Sequence, residues 1–427
     1  MRRPHLSPPL VMLATIATAT ATATAAASAL ASIPEFEMQE IDPHAGNVVY
    51  AVTVADVNGD GSPDVCALTE DAIVWYENPS WTRHEILKGA TQEAAGTERD
   101  NVCFAPLDID GDGDLDFALG ADWRPGDTQE GGTLFWARQD GPDDWTLISL
   151  GREPTVHRMR WANVKGDERP ELVVVPLQGR GTSGPDWGRG NGVRILVFSI
   201  PEDPSTDEWP VEVADDSLHT THNVHPIDLD GDGFDELVVA SWEGVFLYER
   251  SEDSWSRSKI GAGNQDAEPF KGASEVKVGR LGDGRRYVAT IEPWHGFQVV
   301  VYARPAGEDG LLSRQVIDEP LRWGHAVWTA DLDDDSDQEL IIGQRDPNPD
   351  GSGNHKGPGL FIYDPVPGSQ PLAFEKRVIE DGGVAVEDAT AADLDGDGRP
   401  ELIAGGRATH NVRIYWNRPG PASGGDR

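Results

Sequence analysis

The chain has 427 residues, and its 74 Asp and Glu side chains outnumber the 35 Lys and Arg, giving a formal net charge of −39 at pH 7. This acidic balance argues against nucleic acid and anionic membranes as partners, because both bind basic surfaces. The two cysteines, Cys66 and Cys103, are too few for a disulfide scaffold, and they form either two buried thiols or one bridge between neighbouring repeats.

The N-terminus is typical of a secretory signal peptide. Arg2 and Arg3 precede an apolar Ala/Thr-rich run, and small residues before Ser32 offer a cleavage site. The alternative, a membrane anchor, is disfavoured by the threonines in that run, and no other segment is apolar enough to span a bilayer. We therefore expect a signal peptide at 1–31, a folded domain at 32–418 and a disordered tail at 419–427, in a secreted, periplasmic or cell-surface protein.

Seven acidic turns follow, at intervals of 51 to 65 residues, each between two short β-branched and aromatic runs. A repeat of this length is one supersecondary unit, and seven units of about four strands predict a β-propeller. The seventh repeat ends after its third strand, whereas a strand-like segment at 36–41 precedes the first repeat. We expect that segment to pair onto the last blade and close the ring. The turns begin at Asp56, Asp108, Asn163, Asp228, Gly279, Asp331 and Asp393.

The clearest turns read DVNGDGSPD, DIDGDGDLD, DLDGDGFDE and DLDGDGRPE. Phased copies of this motif resemble the FG-GAP/VCBS repeat family, whose blades carry a calcium loop between their first and second strands. The resemblance implies an all-β, seven-bladed β-propeller with its acidic calcium loops on one face. It covers nearly the whole chain after the signal peptide.

Calcium prefers six to eight oxygen ligands, and positions one, three, five and nine of each turn supply side-chain oxygens. We expect about four or five structural ions; the fifth is held less securely, because Asp334 and Ser336 replace glycines. The degenerate turns at 163–171 and 279–287 lack too many ligands and are predicted to be empty. The predicted ligands are Asp56, Asn58, Asp60 and Asp64; Asp108, Asp110, Asp112 and Asp116; Asp228, Asp230, Asp232 and Glu236; Asp331, Asp333, Asp335 and Glu339; and Asp393, Asp395, Asp397 and Glu401.

Function is expected at the opposite mouth of the propeller, where the first strand of each blade begins. The residue six positions before each turn lies near the start of that first strand. Because equivalent positions of a ring converge on its axis, we expect these side chains to face one another. These residues are Tyr50, Val102, His157, His222, Ala273, His325 and Glu387. The connections between second and third strands share that face, and they supply further candidate residues for substrate binding. Together with Glu387, the predicted substrate-binding residues are Trp123, Arg124, Arg180, Trp294, His295 and Arg345.

Aromatic rings with Arg and His favour a carbohydrate or another small acidic ligand, because rings stack on sugars and Arg pairs with carboxylates. A histidine can remove a proton beside a carbonyl, and Tyr50 or a second histidine can protonate the leaving oxygen. This chemistry is β-elimination. Two alternatives stay open: the histidines hold zinc or another divalent ion, or they are hydrogen-bonded groups that line a wet channel.

Three segments carry a second resemblance: TVHRMRW at 155–161, HTTHNVH at 219–225 and RWGHAVW at 322–328. They are similar to propellers of the aldos-2-ulose dehydratase family, which eliminates water from keto-sugars with the help of metals and histidine. The resemblance implies His157 as the base, with His222, His325 and Tyr50 as partners and Arg158 beside them. That family's cupin domains are absent here, so we expect no isomerase step.

These observations predict a secreted, monomeric, calcium-binding propeller that is a lyase or dehydratase acting on a keto- or uronic sugar. The alternative is a non-catalytic module that binds glycan or protein at the same mouth, as integrin propellers do. A third possibility is a purely structural surface protein.

Overall fold

The computed structural model describes residues 34–166, 169–252, 254–267, 270–304, 311–319, 321–348 and 357–418. The predicted signal peptide and tail lie outside the described residues. Seven four-stranded antiparallel sheets make up the described chain, which confirms the all-β, seven-bladed propeller. Its described part contains one short helix, α1 (Ala90–Ala95), and no helix long and apolar enough to cross a membrane.

Short strands alternate with tight turns along the whole chain. In order they are β1 (Glu35–Asp42), β2 (Val49–Ala55), β3 (Asp64–Thr69), β4 (Ile73–Glu77), β5 (Thr82–Ile86), β6 (Cys103–Leu107), β7 (Asp116–Ala121), β8 (Thr133–Gly141), β9 (Asp144–Arg152), β10 (Val156–Ala162), β11 (Glu171–Pro176), β12 (Ile195–Phe198), β13 (Val211–Asp215), β14 (Thr221–Ile227), β15 (Glu236–Ser241), β16 (Gly244–Ser251), β17 (Ser254–Gly261), β18 (Val276–Arg280), β19 (Arg286–Glu292), β20 (Gln298–Ala303), β21 (Ser313–Asp318), β22 (Gly324–Ala330), β23 (Glu339–Gln344), β24 (Gly359–Pro365), β25 (Phe374–Asp381), β26 (Val386–Ala392), β27 (Glu401–Gly406) and β28 (Val412–Arg418).

Each blade is a meander of consecutive strands, from β2–β5 in blade one to β22–β25 in blade six. Blade seven consists of β26, β27, β28 and the N-terminal strand β1, which pairs antiparallel with β28. The first strand of every blade contacts the first strand of the next, and β26 contacts β2, so the seven inner strands line one central channel.

The second strand of each blade forms most of the core. Every residue of β3, β7, β11, β15, β23 and β27 is buried, because these strands pack between neighbouring blades on both faces. Their sequences are therefore short continuous apolar runs rather than alternating ones. Cys66 and Cys103 are buried free thiols within this core.

Five inner strands carry a register shift at their second residue, as expected for a β-bulge. A bulge adds one unpaired residue and re-aims its side chain. The turns lie at the other end of these seven-residue strands, roughly 20 Å away along the strand axis. The bulge residues are Tyr50, His157, His222, His325 and Glu387.

Candidate active site and acidic loops

Four imidazole rings meet at one mouth of the channel. One ring nitrogen from each of His222, His295 and His325 lies within 4.8 Å of the others. The ring of His157 packs against His222 with 4.4 Å between centroids. We call these four residues the histidine cluster. Three come from bulges of β10, β14 and β22, and His295 comes from the connection between β19 and β20.

The hydrogen-bond partners of the rings fix their tautomers. Nδ1 of His157 lies 3.1 Å from the carbonyl oxygen of His222, and Nδ1 of His325 lies 2.6 Å from that of Glu387. Because a carbonyl oxygen only accepts, both Nδ1 atoms carry the proton and both Nε2 atoms keep a lone pair. Nδ1 of His222 lies 2.8 Å from Oε1 of Glu275, although the angle there is poor for a hydrogen bond.

Burial keeps these rings neutral. It is the largest cause that lowers the pKa of His157, His222 and His295 well below the usual value. Burial likewise lowers the pKa of His325 to about 3, with nearby Glu275 acting in the opposite direction. Neutral imidazoles are the form that binds metal ions and the form that accepts protons.

The donor set fits a divalent ion such as zinc. Catalytic zinc sites use three protein ligands and leave a position open, and carboxylate or carbonyl partners orient the ligating rings. Here Glu275 stands behind His222 and the Glu387 carbonyl behind His325. The Nε2 atoms of His222 and His295 are 2.5 Å apart, whereas two nitrogens of a tetrahedral zinc site are about 3.3 Å apart. The His295 ring must therefore turn to admit an ion; among the described residues its buried Nδ1 has no hydrogen-bond partner to hold it.

Glu275 is a site residue that counting along the sequence missed. The predicted position in blade five was Ala273, but the turn there is 281–285, shorter than 228–235 in blade four. Aligned on the strands rather than on the acidic motif, Glu275 is equivalent to His222. Its carboxylate accepts from the side chains of Arg158, at 3.3 Å, and Asn223.

Arg158 lies beside the predicted base. One terminal nitrogen of its buried guanidinium is 3.3 Å from both ring nitrogens of His157, and the other pairs with Glu275. The structure therefore places Arg158 and His157, adjacent in sequence, on the same side of the strand bulge.

Aromatic rings surround the cluster. Trp294 stacks on His295 at 4.2 Å, and Trp123 lies 5.1 Å from His157. Trp323, which sequence reasoning did not single out, lies 5.1 Å from His295. His295 and Trp323 both adopt a φ of 50°, a backbone strain of the kind that accumulates at functional sites.

Two arginines lie near the carboxylate of Glu387, beside the histidine cluster. Arg407 donates to its Oε1 at 2.6 Å, and Arg345 approaches Oε2 at 3.7 Å. The Arg345 guanidinium also lies over the Trp323 ring, 4.7 Å from its centroid. Glu387 thus pairs closely with Arg407 and more distantly with Arg345, whose Nε also lies 3.3 Å from Oδ1 of Asp346.

Three predicted residues take other partners. The hydroxyl of Tyr50 donates to Asp100 at 2.5 Å, and burial followed by this hydrogen bond raises the Tyr50 pKa. Arg124 pairs with Asp122 at 2.9 Å and Arg180 with Glu153 at 2.6 Å. Within the described ranges none of these three contacts a ring of the histidine cluster, since local carboxylates take up their polar atoms.

The acidic loops lie at the opposite end of the inner strands. In four of them three carboxylate oxygens lie within 4.8 Å of one another. Buried oxygens of Asp110, Asp333, Glu339 and Glu401 have no hydrogen-bond partner in the part of the chain that the structure describes. Burial raises the pKa of Glu401 to about 7 and of Glu339 to about 10. Unpaired buried carboxylates fit a hard cation. The groups are Asp108, Asp110 and Asp116; Asp228, Asp230 and Glu236; Asp331, Asp333 and Glu339; and Asp393, Asp395 and Glu401.

The remaining acidic loops differ from these four. The first has an amide, Asn58, at position three. In the degenerate loop of blade five, Asp283 is paired with Arg285 at 2.7 Å. Part of the degenerate loop of blade three, at 167–168, lies outside the described residues.

Comparison with known proteins supports both resemblances. Residues 131–305 match the family model for aldos-2-ulose dehydratase, beta-propeller domain, and residues 56–119 match the FG-GAP-like repeat. The chain is 26% identical over 317 residues to aldos-2-ulose dehydratase of Phanerodontia chrysosporium. The aligned region covers 68% of this chain and 33% of that protein. The chain thus spans about a third of the length of this relative, to which its propeller is related.

Two solved structures share the fold. One is an Agrocybe aegerita lectin described as recognising non-reducing terminal N-acetylglucosamine, with a TM-score of 0.51 and 14% identity over 86% of this chain and 85% of that one. The other is BBS1N in complex with ARL6DN, with a TM-score of 0.52 and 13% identity over 91% of this chain and 96% of that one. At these identities the likeness concerns the propeller architecture alone.

Proposed function

We propose that this propeller, related to that of aldos-2-ulose dehydratase, is a carbon–oxygen lyase that acts on a keto- or uronic sugar. One observation carries the proposal: four neutral histidines from blades three to six converge at one channel mouth, beside buried Arg158 and Glu275. The family match over 131–305 spans two of the three cluster positions that come from bulges, His157 and His222.

The reaction is β-elimination. A base removes the proton from the carbon beside a carbonyl or carboxylate, an oxygen leaves the next carbon with a proton, and a C=C bond forms. Nε2 of His157 keeps its lone pair and accepts the first proton. The Arg158 guanidinium, within 3.3 Å of that ring, stabilises the negative charge that develops on the substrate oxygen.

His222, His295 and His325 would hold a divalent ion, with zinc as the best fit to three imidazoles. Such an ion would polarise the substrate carbonyl and so acidify the neighbouring C–H bond. Glu275 and the Glu387 carbonyl orient the rings of His222 and His325 whether or not an ion is bound.

Trp123, Trp294 and Trp323 offer ring faces to the sugar around the cluster. Arg407 pairs with Glu387, and Arg345 pairs with Glu387 and Asp346; each guanidinium has five N–H donors, so donors remain for an acidic group of the substrate. The partner is therefore a carbohydrate or another small acidic ligand. We propose that the chain acts as a secreted or periplasmic monomer with structural calcium in its acidic loops.

The second candidate is a non-catalytic glycan- or protein-binding module. The observation that favours it is Tyr50, the predicted proton donor, whose proton is already engaged by Asp100. Stacked aromatic rings at a channel mouth would serve a binding module equally well.

The test is absorbance near 235 nm, where unsaturated elimination products absorb, over uronic-acid polysaccharides and keto-sugars including 1,5-anhydrofructose, with calcium and zinc present. The wild type should give a rise that His157→Ala loses, by roughly 10²- to 10⁴-fold in kcat. His44→Ala, which removes an exposed imidazole, is the matched control and should keep full activity.

A flat trace from folded, metal-loaded protein across the whole panel would overturn the lyase in favour of the binding module. An active His157→Ala protein would instead move the base to another residue. Circular dichroism of each variant separates loss of folding from loss of chemistry.

A further inference from the structure

A second set of charged side chains lines the channel below the histidine cluster. Arg160, His225 and Trp328 each stand three residues after the bulge histidine of β10, β14 and β22, so they occupy one level of the ring. Lys277 of β18 contacts Trp328 and His225, and Asp388 of β26, one residue after its bulge, attracts Arg160 and Lys277 electrostatically. We call these five residues the lower ring.

Lys277 holds its ammonium group in the channel. Its Nζ lies 3.8 Å from the centroid of the Trp328 ring and 3.4 Å from Nδ1 of His225. These contacts join blades four, five and six, and only 5% of Lys277 is exposed. Across the described ranges, no carboxylate oxygen lies within 4 Å of this ammonium.

Arg160 also lacks an ion pair with any described residue. Its guanidinium donates to the carbonyl of Met159 at 2.8 Å, and no described carboxylate approaches it within 4 Å. Arg158, one level above, differs because Glu275 pairs with it at 3.3 Å. Two of the three cations along this wall therefore have no ion-pair partner among the described residues.

Asp388 and Glu275 attract both cations, but no carboxylate oxygen of a described residue lies within 4 Å of either one. Asp388 is half-buried and accepts a hydrogen bond from the backbone N–H of Val52 at 3.0 Å. Burial followed by the charge of Arg160 lowers the pKa of Lys277 to about 7. A buried charge that is not paired is costly, and the face of Trp328 offsets only part of that cost.

Three side chains of the lower ring are not fully buried. Arg160, His225 and Asp388 each remain partly accessible to water although protein surrounds them. Arg offers five N–H donors and Lys three, and these groups bind carboxylates and other oxyanions through charge-assisted hydrogen bonds.

We infer that the lower ring is a second ligand site, which binds one small oxyanion between Arg160 and Lys277. The shared chemistry is a compact group with two or more acceptor oxygens. Its source is either a free ion such as acetate or sulfate, or the carboxylate of an acidic sugar. The site is separate from the histidine cluster, and it requires neither the proposed elimination nor a bound metal.

Isothermal titration calorimetry and thermal unfolding test this site on the calcium-loaded protein at constant ionic strength. The probes are sodium acetate, sodium sulfate and sodium galacturonate. The wild type should bind acetate or sulfate with saturable heat and unfold at a higher temperature in its presence, since a ligand that binds only the folded state stabilises it. Lys277→Met, which keeps the apolar stem, should weaken binding by about tenfold or more.

Lys259→Met, which removes an exposed lysine of β17, is the control and should bind as the wild type does. Galacturonate that competes with acetate identifies the carboxylate of an acidic sugar as an occupant, and failure to compete identifies the free ion. Absence of saturable heat together with an unchanged melting temperature would overturn the inference. Binding heat and a shift in melting temperature from Lys277→Met that equal those of the wild type would also overturn it. Circular dichroism must first show that Lys277→Met is folded.

Discussion

The Nε2 atoms of His222 and His295 lie 2.5 Å apart at the mouth of the channel. At this distance one of them must donate a proton to the other, because two lone pairs facing each other repel. A zinc ion would replace that proton and separate the two nitrogens to about 3.3 Å. The contact is therefore either a hydrogen bond or one edge of a metal site, depending on what is bound.

The metal hypothesis makes the histidines unequal. His295→Gln should lower the zinc content of purified protein from about one ion per chain to nearly none, since two imidazoles bind far more weakly than three. His157→Ala should keep its zinc, because His157 is not one of the three grouped ligands. Elemental analysis after dialysis gives both numbers. Equal zinc loss in both variants, or none in His295→Gln, would contradict this division of roles.

The acidic loops should stabilise the fold only with calcium present. Asp228→Ala removes a carboxylate from the group it forms with Asp230 and Glu236. We expect the gain in melting temperature on adding calcium to shrink by roughly 2 to 4 °C, and the melting temperature in a chelator to change little. Differential scanning calorimetry with calcium and with EGTA measures this.

Asp283→Ala is the control for that experiment, because the side chain of Asp283 pairs with Arg285 in the degenerate loop. It should leave the calcium-dependent gain intact. An Asp228→Ala protein with the wild-type gain would remove that loop from the calcium sites.

Loop six keeps the backbone of the glycine-containing loops without their glycines. Asp334 and Ser336 have φ of 64° and 75°, close to 79° and 98° for Gly111 and Gly113 of loop two. Because a left-handed conformation strains a residue with a Cβ, Ser336→Gly should raise the free energy of unfolding by about 1 kcal/mol. The reverse change, Gly113→Ser, should lower it by a similar amount. Urea unfolding in calcium measures the free energy of unfolding of both variants. A Ser336→Gly protein that is less stable than the wild type would show that Ser336 is not strained.

The sequence predicted the propeller and most of the inner ring for a simple reason. In blades whose turn keeps its full length, including the degenerate turn of blade three, the number of residues from the bulge to the turn is constant, so counting back from the turn found His157, His222 and His325. It failed in blade five, where the shorter turn shifted the count from Glu275 to Ala273.

The role of His295 could not be predicted in the same way. It lies in a connection whose path depends on contacts with Trp294 and Trp323 rather than on any repeat. Likewise, nothing in the sequence pairs Tyr50 with Asp100, which lies fifty residues away in the connection between β5 and β6.

Lys277 should make stability rise with pH. Burial and Arg160 lower its pKa to about 7 in the folded state, whereas a lysine in the unfolded chain titrates near 10.4. Between these values the unfolded state binds more protons, so the free energy of unfolding increases by up to about 1.4 kcal/mol per pH unit. Below pH 7 both states are protonated and this contribution is flat. The charged or titratable groups that face Lys277 are Arg160 of β10, His225 of β14, Glu275 before β18 and Asp388 of β26.

Urea unfolding of the wild type and of Lys277→Met between pH 7 and 9, in a buffer without small oxyanions, isolates this contribution. Burial raises the pKa of the Cys66 and Cys103 thiols, which makes stability fall at high pH, but this effect is common to both proteins and cancels in their difference. The difference should favour Lys277→Met most at pH 7 and shrink toward pH 9, because the wild type loses its buried charge. Saturating acetate should flatten the trend, since a bound anion raises the pKa of Lys277. A difference independent of pH would mean that Lys277 stays protonated in the folded state throughout the range, as it does in the unfolded state, and would contradict the lowered pKa.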